Sequence, residues 1–242
     1  MERIMGVLGG MGPLATVDFM QKIINATPAH SDQDHIPVIT ASLPQIPDRN
    51  DAISGIGQSP LGGMINVIKR LERAGAGAIA IPCNTAHCWH AALQHATTLP
   101  ILHIADAAID LMISKGVSAG CGVGILATTS TLTEGIYRDR LNARALNCIE
   151  PDSSIQEDCV MEGIRAVKAG DLSGGSAKLM NAAAYLRRSG AEKIVLACTE
   201  IPVALAHAGG HDPIYVDATD ALAKACVVWA TSEDFASVKQ VA

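Results

Sequence analysis

Short apolar runs and longer amphipathic stretches alternate along the whole chain. Arg3–Gly9, Ile36–Leu43, Ala78–Pro82 and Ile101–Ile104 show little polar alternation. That is the pattern of strands buried on both faces of a parallel sheet. Gly122–Ala127, Ala145–Ile149, Ile194–Ala197 and Ile214–Val216 repeat it in the second half. Helical periodicity fills the gaps. In Pro60–Gly75, residues Leu61, Met64, Ile65, Ile68 and Leu71 keep helical spacing, while Lys69, Arg70, Glu72 and Arg73 fall elsewhere. Gly75 is placed to end that helix. The pattern predicts an α/β fold.

The two halves also repeat one another. Cys83 ends the run Ala78-Ile79-Ala80-Ile81-Pro82, and Cys198 ends Ile194-Val195-Leu196-Ala197. The lead-ins match, Arg73-Ala74-Gly75-Ala76 against Arg188-Ser189-Gly190-Ala191. Pro100-Ile101 before Asp106 resembles Pro213-Ile214 before Asp220, and Gly6–Gly9 resembles Gly124–Ala127. Landmarks repeated at a near-constant offset point to two similar half-domains with parallel sheets, related by a pseudo-two-fold. The expected division is 1–105 plus about 217–242, and 106–216. The last helix, from about Ala218, is expected to pack back on the first half. No Pro- or Ser-rich linker separates the halves, so a rigid pair with a cleft between them is expected. Cys83 and Cys198 then face each other across that cleft. A thiol on each face of a substrate carbon is what proton removal and redelivery with inversion require.

Composition narrows the function classes. The 242 residues are 49% hydrophobic and 17% charged, as in a globular chain. Aromatics make up only 3% and the net charge is −6 without a basic run, which argues against nucleic-acid binding. No apolar stretch is long enough to span a membrane. The first residues, Met1–Gly10, read as a strand entering a turn rather than a signal peptide. Seven cysteines, an odd count, fit reduced thiols and a cytoplasmic location.

Ligands of parallel α/β sheets bind beyond the carboxyl ends of strands, where four polar loops fall. Gly10-Met11-Gly12 lacks the Lys-Ser/Thr of a phosphate loop. Its loose match to a dinucleotide fingerprint lacks an acidic residue at the end of the second strand, since Thr40-Ala41-Ser42 supplies none. A turn offering backbone N–H groups to a small carboxylate fits better. Pro82-Cys83-Asn84-Thr85-Ala86-His87 places Cys83 before a helix start, which is expected to favour the thiolate. Thr128-Thr129-Ser130-Thr131 serves as helix caps or as a carboxylate holder. Cys198-Thr199-Glu200 puts an acid beside the second thiol. Zinc on Cys83, His87, Cys88 and Cys198 matches no common ligand spacing. A Cys-His hydrolase leaves the second cysteine unexplained. Cys88, Cys121, Cys148, Cys159 and Cys226 read as structural. Arg49, in the long loop Pro44–Ser59, and Lys168, before Gly170, are candidate cations or plain surface charges.

The combination of Gly-Gly-Met-Gly-Pro near the start, Pro82-Cys83-Asn84-Thr85-Ala86-His87 and Cys198-Thr199-Glu200 resembles the aspartate/glutamate racemase family, over nearly the whole chain. The resemblance implies two flavodoxin-like domains, no cofactor, and a thiol/thiolate pair that exchanges one α-proton. On it, Cys83 and Cys198 are the acid/base pair. Met11, Asn84, Thr85, Thr128, Ser130, Thr199 and Glu200 become substrate contacts, and Arg49 and Lys168 the cations for a second carboxylate. Glutamate racemases carry Asp-Ser-Gly in the first loop and Cys-Thr-His in the last. Gly10-Met11-Gly12 and Glu200 stand there instead, which favours aspartate. The expected partner is a dicarboxylic amino acid, with neither nucleic acid nor membrane, and a homodimer is expected. Hydantoin racemisation, malonate decarboxylation, maleate isomerisation and an inactive amino-acid binder are the alternatives on the same fold.

Overall fold

The structure is a computed structural model that describes residues 3–207, 209 and 212–232. In the first half, β1 (Met5–Gly9), buried at every position, is followed by α1 (Pro13–Ala26) and β2 (Val38–Ser42). Then come α2 (Arg49–Ile53), α3 (Leu61–Arg73), β3 (Ala78–Ala80), a 3-10 turn at Thr85–Trp89, α4 (His90–His95) and β4 (Ile101–Leu102). Helix α5 (Ile104–Ser114) leads into β5 (Gly122–Ala127), α6 (Thr129–Thr133), α7 (Arg138–Ala143) and β6 (Asn147–Ile149). Helix α8 (Ser153–Ile155) passes through a π turn at Gln156–Met161 into α9 (Glu162–Lys168). The chain ends with α10 (Leu172–Arg188), β7 (Lys193–Ala197), α11 (Glu200–His207), β8 (Tyr215–Asp217) and α12 (Ala218–Thr231).

Two parallel four-stranded sheets result, ordered β2-β1-β3-β4 and β6-β5-β7-β8. The orders correspond strand for strand, as the internal repeat predicts. In each sheet the winding reverses between the two central strands, β1 and β3 or β5 and β7. That reversal opens a crevice at their carboxyl ends. The four loops singled out from sequence leave those four strand ends.

The repeat extends to helix ends. Helices α3 and α10 both stop at a glycine in the left-handed region, Gly75 at φ 94° and Gly190 at φ 96°. The following amides close the turn, Ala76 N–H to Leu71 C=O and Ala191 N–H to Leu186 C=O, each at 3.0 Å. Only glycine adopts this φ without strain. Helix α3 buries Met64, Val67, Ile68 and Leu71. Each such burial contributes roughly 1.5–3 kcal/mol. Together they outweigh the cost of Gly62 and Gly63, about 1 kcal/mol apiece in a helix.

One core joins the sheets. Val7 and Ala80 of the first sheet, Ile125 and Val195 of the second, and Ile109, Leu222 and Cys226 of α5 and α12 belong to a single cluster of buried side chains. Helix α12 packs on α1 and α5, and Arg3 Nη1 donates to Trp229 C=O near its end at 2.9 Å. Two smaller clusters lie on the outer sides, under α3 and under α10. Residues 233–242, assigned above to the first domain, lie outside the described residues.

Some local expectations are corrected. Ile104 begins α5 instead of ending a strand, because His103 Nδ1 accepts the Ala105 N–H and caps the helix. The long loop Pro44–Ser59 contains α2, started by the Asp48 carboxylate, which accepts the Asn50 and Asp51 N–H groups at 2.8 and 3.1 Å. Gly10 adopts φ 94°, as a tight turn requires. Its N–H goes to Thr16 Oγ1 at 2.8 Å, however, and is not on offer to a carboxylate.

Candidate functional site

Both cysteines line one cavity of about 140 Å³ between the two sheets' crevices. This is small beside the roughly 300–1,000 Å³ of pockets for drug-sized ligands. Cys83, Asn84 and Thr85 reach it from the end of β3, and Cys198, Thr199 and Glu200 from the end of β7. Met11 and Gly12 close one side from the β1 loop, and Thr128 reaches it from the end of β5. Arg49 from α2 and Lys168 from α9 also line it. Of the residues read from sequence, Ser130 is the exception. It is buried but does not line the cavity. Thr128, the cap before α6, and Thr131, one helical turn on, point toward Thr85, and Ser130 falls off that face.

The hydroxyls of Thr85, Thr128 and Thr131 form a buried triangle with sides of 3.0–3.3 Å. Thr128 also caps α6 by accepting the Thr131 N–H. The triangle ties the Cys83 loop of the first half to the second half. So does a hydrogen bond from the Tyr137 hydroxyl to Asn84 Oδ1. Sequence reasoning includes Thr131 in its run of hydroxyls but misses Tyr137. It also misses Asp48 and Asn50, which line the cavity beside Arg49. The Asp48 cap at the start of α2 is a local signal that reaches the last two. Tyr137 has no such signal.

The two sulfurs have opposite neighbours. Cys83, 8% exposed, has the Arg49 guanidinium and the Ala86 N–H beside it. Cys198 donates to Glu200 Oε2 at 3.0 Å, and the Thr199 hydroxyl donates to the same oxygen at 3.0 Å. Lys168 Nζ lies 3.9 Å from Glu200 Oε1. Burial pushes the Cys83 thiol up, with Arg49 and the Ala86 N–H opposing. Burial and then the Glu200 carboxylate push Cys198 well above the usual thiol range. The expectation that a helix start makes Cys83 a ready thiolate is therefore corrected. Cys83 precedes only a short 3-10 turn, and desolvation outweighs the favourable contacts. Arg49 Nε and Asn50 Oδ1, both buried, have no hydrogen-bond partner among the described residues, so a donor and an acceptor in this wall remain for a ligand.

Behind Cys83 lie three histidine rings. His103 stands edge-on to His87 and His90, with centroids 4.6 Å away in each case. His87 Nε2 accepts the Ile104 N–H at 3.2 Å, so Nδ1 carries the proton and donates to Cys83 C=O at 2.9 Å. With both nitrogens engaged, His87 has no lone pair for a metal, which removes it from the zinc set considered above. Among the described residues no group of three or more His, Cys, Asp or Glu side chains is arranged to hold a metal ion.

Burial and the neighbouring His90 push His87 down to about 3. Burial, with His87 next, also depresses His103 far below its ordinary value. Unfolded imidazoles titrate near 6.5, so protons taken up below that pH bind the unfolded chain in preference. Stability is full above about pH 6.5 and falls as the pH drops toward 3. At about pH 5 the expected loss is roughly 2 kcal/mol for each of His87 and His103. Urea unfolding midpoints at about pH 7.5 and pH 5 measure it. An unchanged midpoint would show that the cluster is not held neutral.

The family model described as Asp/Glu/Hydantoin racemase matches residues 8–226. A solved structure of Picrophilus torridus aspartate racemase superposes with a TM-score of 0.78 at 32% identity, covering 94% of this chain and 93% of that one. The broad specificity amino-acid racemase RacX of Bacillus subtilis (strain 168) is 28% identical over 230 residues, 93% of this chain and 96% of the relative. Glutamate racemase isoform RacE1 from Bacillus anthracis shares the fold, with a TM-score of 0.66 at 15% identity over 94% of this chain and 82% of that one. Among the described residues no helix is long and apolar enough to cross a membrane.

Proposed function

The chain belongs to the Asp/Glu/hydantoin racemase family, and on that premise we propose that it interconverts L- and D-aspartate without a cofactor, by proton transfer between Cys83, the substrate α-carbon and Cys198. The observation that carries this reading is the pair of thiols. They leave equivalent strands of two equivalent sheets and line one small cavity.

Arg49 beside Cys83 and Glu200 beside Cys198 give the two sulfurs different resting roles. Cys83, next to the cation, is the thiol that ionises first and, once a thiolate, takes the α-proton from one face. Cys198, hydrogen-bonded to Glu200, is the thiol that delivers a proton to the other face. After one turnover Cys83 is protonated and Cys198 is the thiolate, and the opposite enantiomer runs the same steps backwards. Negative charge spreads from Cα onto the α-carboxylate as the proton leaves. Donors aimed at that carboxylate stabilise the transition state more than the substrate. Asn84 and Thr85 are those donors, while the Thr199 hydroxyl, which donates to Glu200, offers its oxygen to the substrate ammonium. Asn50 Oδ1, buried without a partner among the described residues, accepts from the substrate ammonium. Arg49 and Lys168 face the second carboxylate.

Aspartate rather than glutamate is supported by Gly10-Met11-Gly12 and Glu200 and by the likeness to the Picrophilus enzyme. Lys168, engaged with Glu200, supports a second reading, a racemase of broader range like RacX. Each enantiomer of aspartate, glutamate and alanine is incubated in D2O with EDTA and without pyridoxal phosphate, and optical rotation and α-deuteration are followed. Loss of rotation with deuterium at Cα is expected for aspartate first. Activity that appears only with added metal or pyridoxal phosphate would overturn the proposal. So would binding with no exchange on any substrate, which marks an inactive binder. In the active enzyme, thiol reagents block exchange and substrate protects against them.

A further inference from the structure

The Asn84 side chain has two chemically opposite ends, a carbonyl that accepts and an NH2 that donates, and they have nearly the same shape. Which end faces the cavity decides whether Asn84 attracts a carboxylate or repels it. Asn84 is 4% exposed and lines the cavity. Its Oδ1 accepts from the Tyr137 hydroxyl, 53 positions further along the chain and in the other half. No acceptor among the described residues meets its Nδ2. Tyr137 is itself 2% exposed and sits in the core that joins the sheets. The neighbouring Thr85 is held by Thr128 and Thr131, so the backbone here is pinned and the amide's rotation about its last bond is the freedom left.

We infer that Tyr137 is a positioning residue: by donating to Asn84 Oδ1 it keeps the Asn84 NH2 turned to the cavity as a donor for a substrate carboxylate. Burial raises the Tyr137 phenol well above its ordinary range, so it keeps its proton and remains the donor throughout the working pH range. Without the hydroxyl, Oδ1 is left buried and unpaired, and nothing selects this orientation of the amide over the turned one. In the turned orientation the carbonyl faces the carboxylate. This inference rests on the racemase reading for its substrate, but not on turnover for its test.

The test is a double-mutant cycle on Tyr137→Phe and Asn84→Ala. It is read both as racemisation kinetics and as equilibrium binding of L-aspartate and succinate by calorimetry. A hydrogen bond to a charged group is worth roughly 10- to 150-fold, so N84A is expected to lower kcat/KM about 100-fold and Y137F about 10-fold. The Y137F loss falls on KM as well as on kcat, because the amide meets the carboxylate already in the ground state and more strongly in the transition state. Mere weakening of the fold would lower the active fraction and hence the apparent kcat, leaving KM alone. The double variant should be no worse than N84A within about twofold, since Tyr137 acts only through Asn84. Losses that multiply to about 1,000-fold would overturn the inference, as would a Y137F effect confined to kcat. Asn84→Asp gives a second arm that holds even if Y137F fails to fold. It keeps an acceptor for Tyr137 but turns a second oxygen to the cavity, and should bind succinate more weakly than N84A. Equal or tighter binding by N84D would overturn the inference. A wild type that binds succinate and aspartate without racemising either refutes the racemase reading alone and leaves the binding cycle decisive. One that binds neither refutes both.

Discussion

Alanine at Cys83 or at Cys198 is expected to abolish racemisation in both directions while the protein still folds. On the proposed mechanism each sulfur is the sole proton carrier for its face of the α-carbon, so removal of either leaves one half of the transfer without a partner. Serine in place of either cysteine costs several powers of ten, because an alcohol is a far weaker acid than a thiol near 8.5. Turnover requires one thiolate and one thiol together. The rate therefore rises with pH as Cys83 ionises and falls as Cys198 does. Both thiols lie above their ordinary range, so the bell is displaced to alkaline pH. Initial rates for each enantiomer across pH, with circular dichroism to confirm the fold, check this. Ordinary turnover by either alanine variant would end the two-thiol mechanism.

The second large effect is expected at Arg49. Its guanidinium is next to Cys83, its Nη1 donates to Ile46 C=O at 3.3 Å and Pro47 C=O at 3.0 Å, and its buried Nε is unpaired among the described residues. Arg49→Ala should lower kcat/KM for aspartate by roughly 2–4 kcal/mol, the cost of a charge-assisted contact in a closed site. Lys168→Ala should cost less, about 1 kcal/mol, because Lys168 is 54% exposed and Glu200 already attracts it. If Arg49 meets the distal carboxylate, alanine as substrate suffers less than aspartate. Equal losses on both would show that Arg49 serves only the charge on Cys83. The side-chain specificity would then rest on other residues.

Much of this architecture is legible in the chain because its signals are local. The run Gly122–Ala127 is the observed β5 without a residue's difference, and the repeated Gly75 and Gly190 end their helices with the same backbone geometry. The paired cysteines are legible for the same reason, since each terminates an apolar strand. The features that escape are tertiary. Tyr137 reaches Asn84 only because the connection between α6 and α7 comes to lie beside the Cys83 loop, and no spacing in the sequence announces that contact. Ser130 shows the converse. The loop is right, but which of four adjacent hydroxyls points inward depends on where α6 begins. The charge state of Cys83 is misread from sequence because a favourable helix end is a local inference, while desolvation depends on everything packed around the sulfur.

The matching strand orders of the two sheets carry a further consequence, about what duplication permits. Two separate copies of a half-length chain, assembled about a true two-fold axis, must give both thiols the same neighbours, because every contact made by one is made by the other. Such an assembly cannot set a cation beside one sulfur and an anion beside the other. Joined in a single chain, the halves are released from that obligation and can diverge position by position. Arg49 and Glu200 are where they have done so. On the proposed mechanism, a ring of reversible steps that symmetry would leave evenly balanced thereby acquires a preferred starting point, with the first proton leaving toward Cys83.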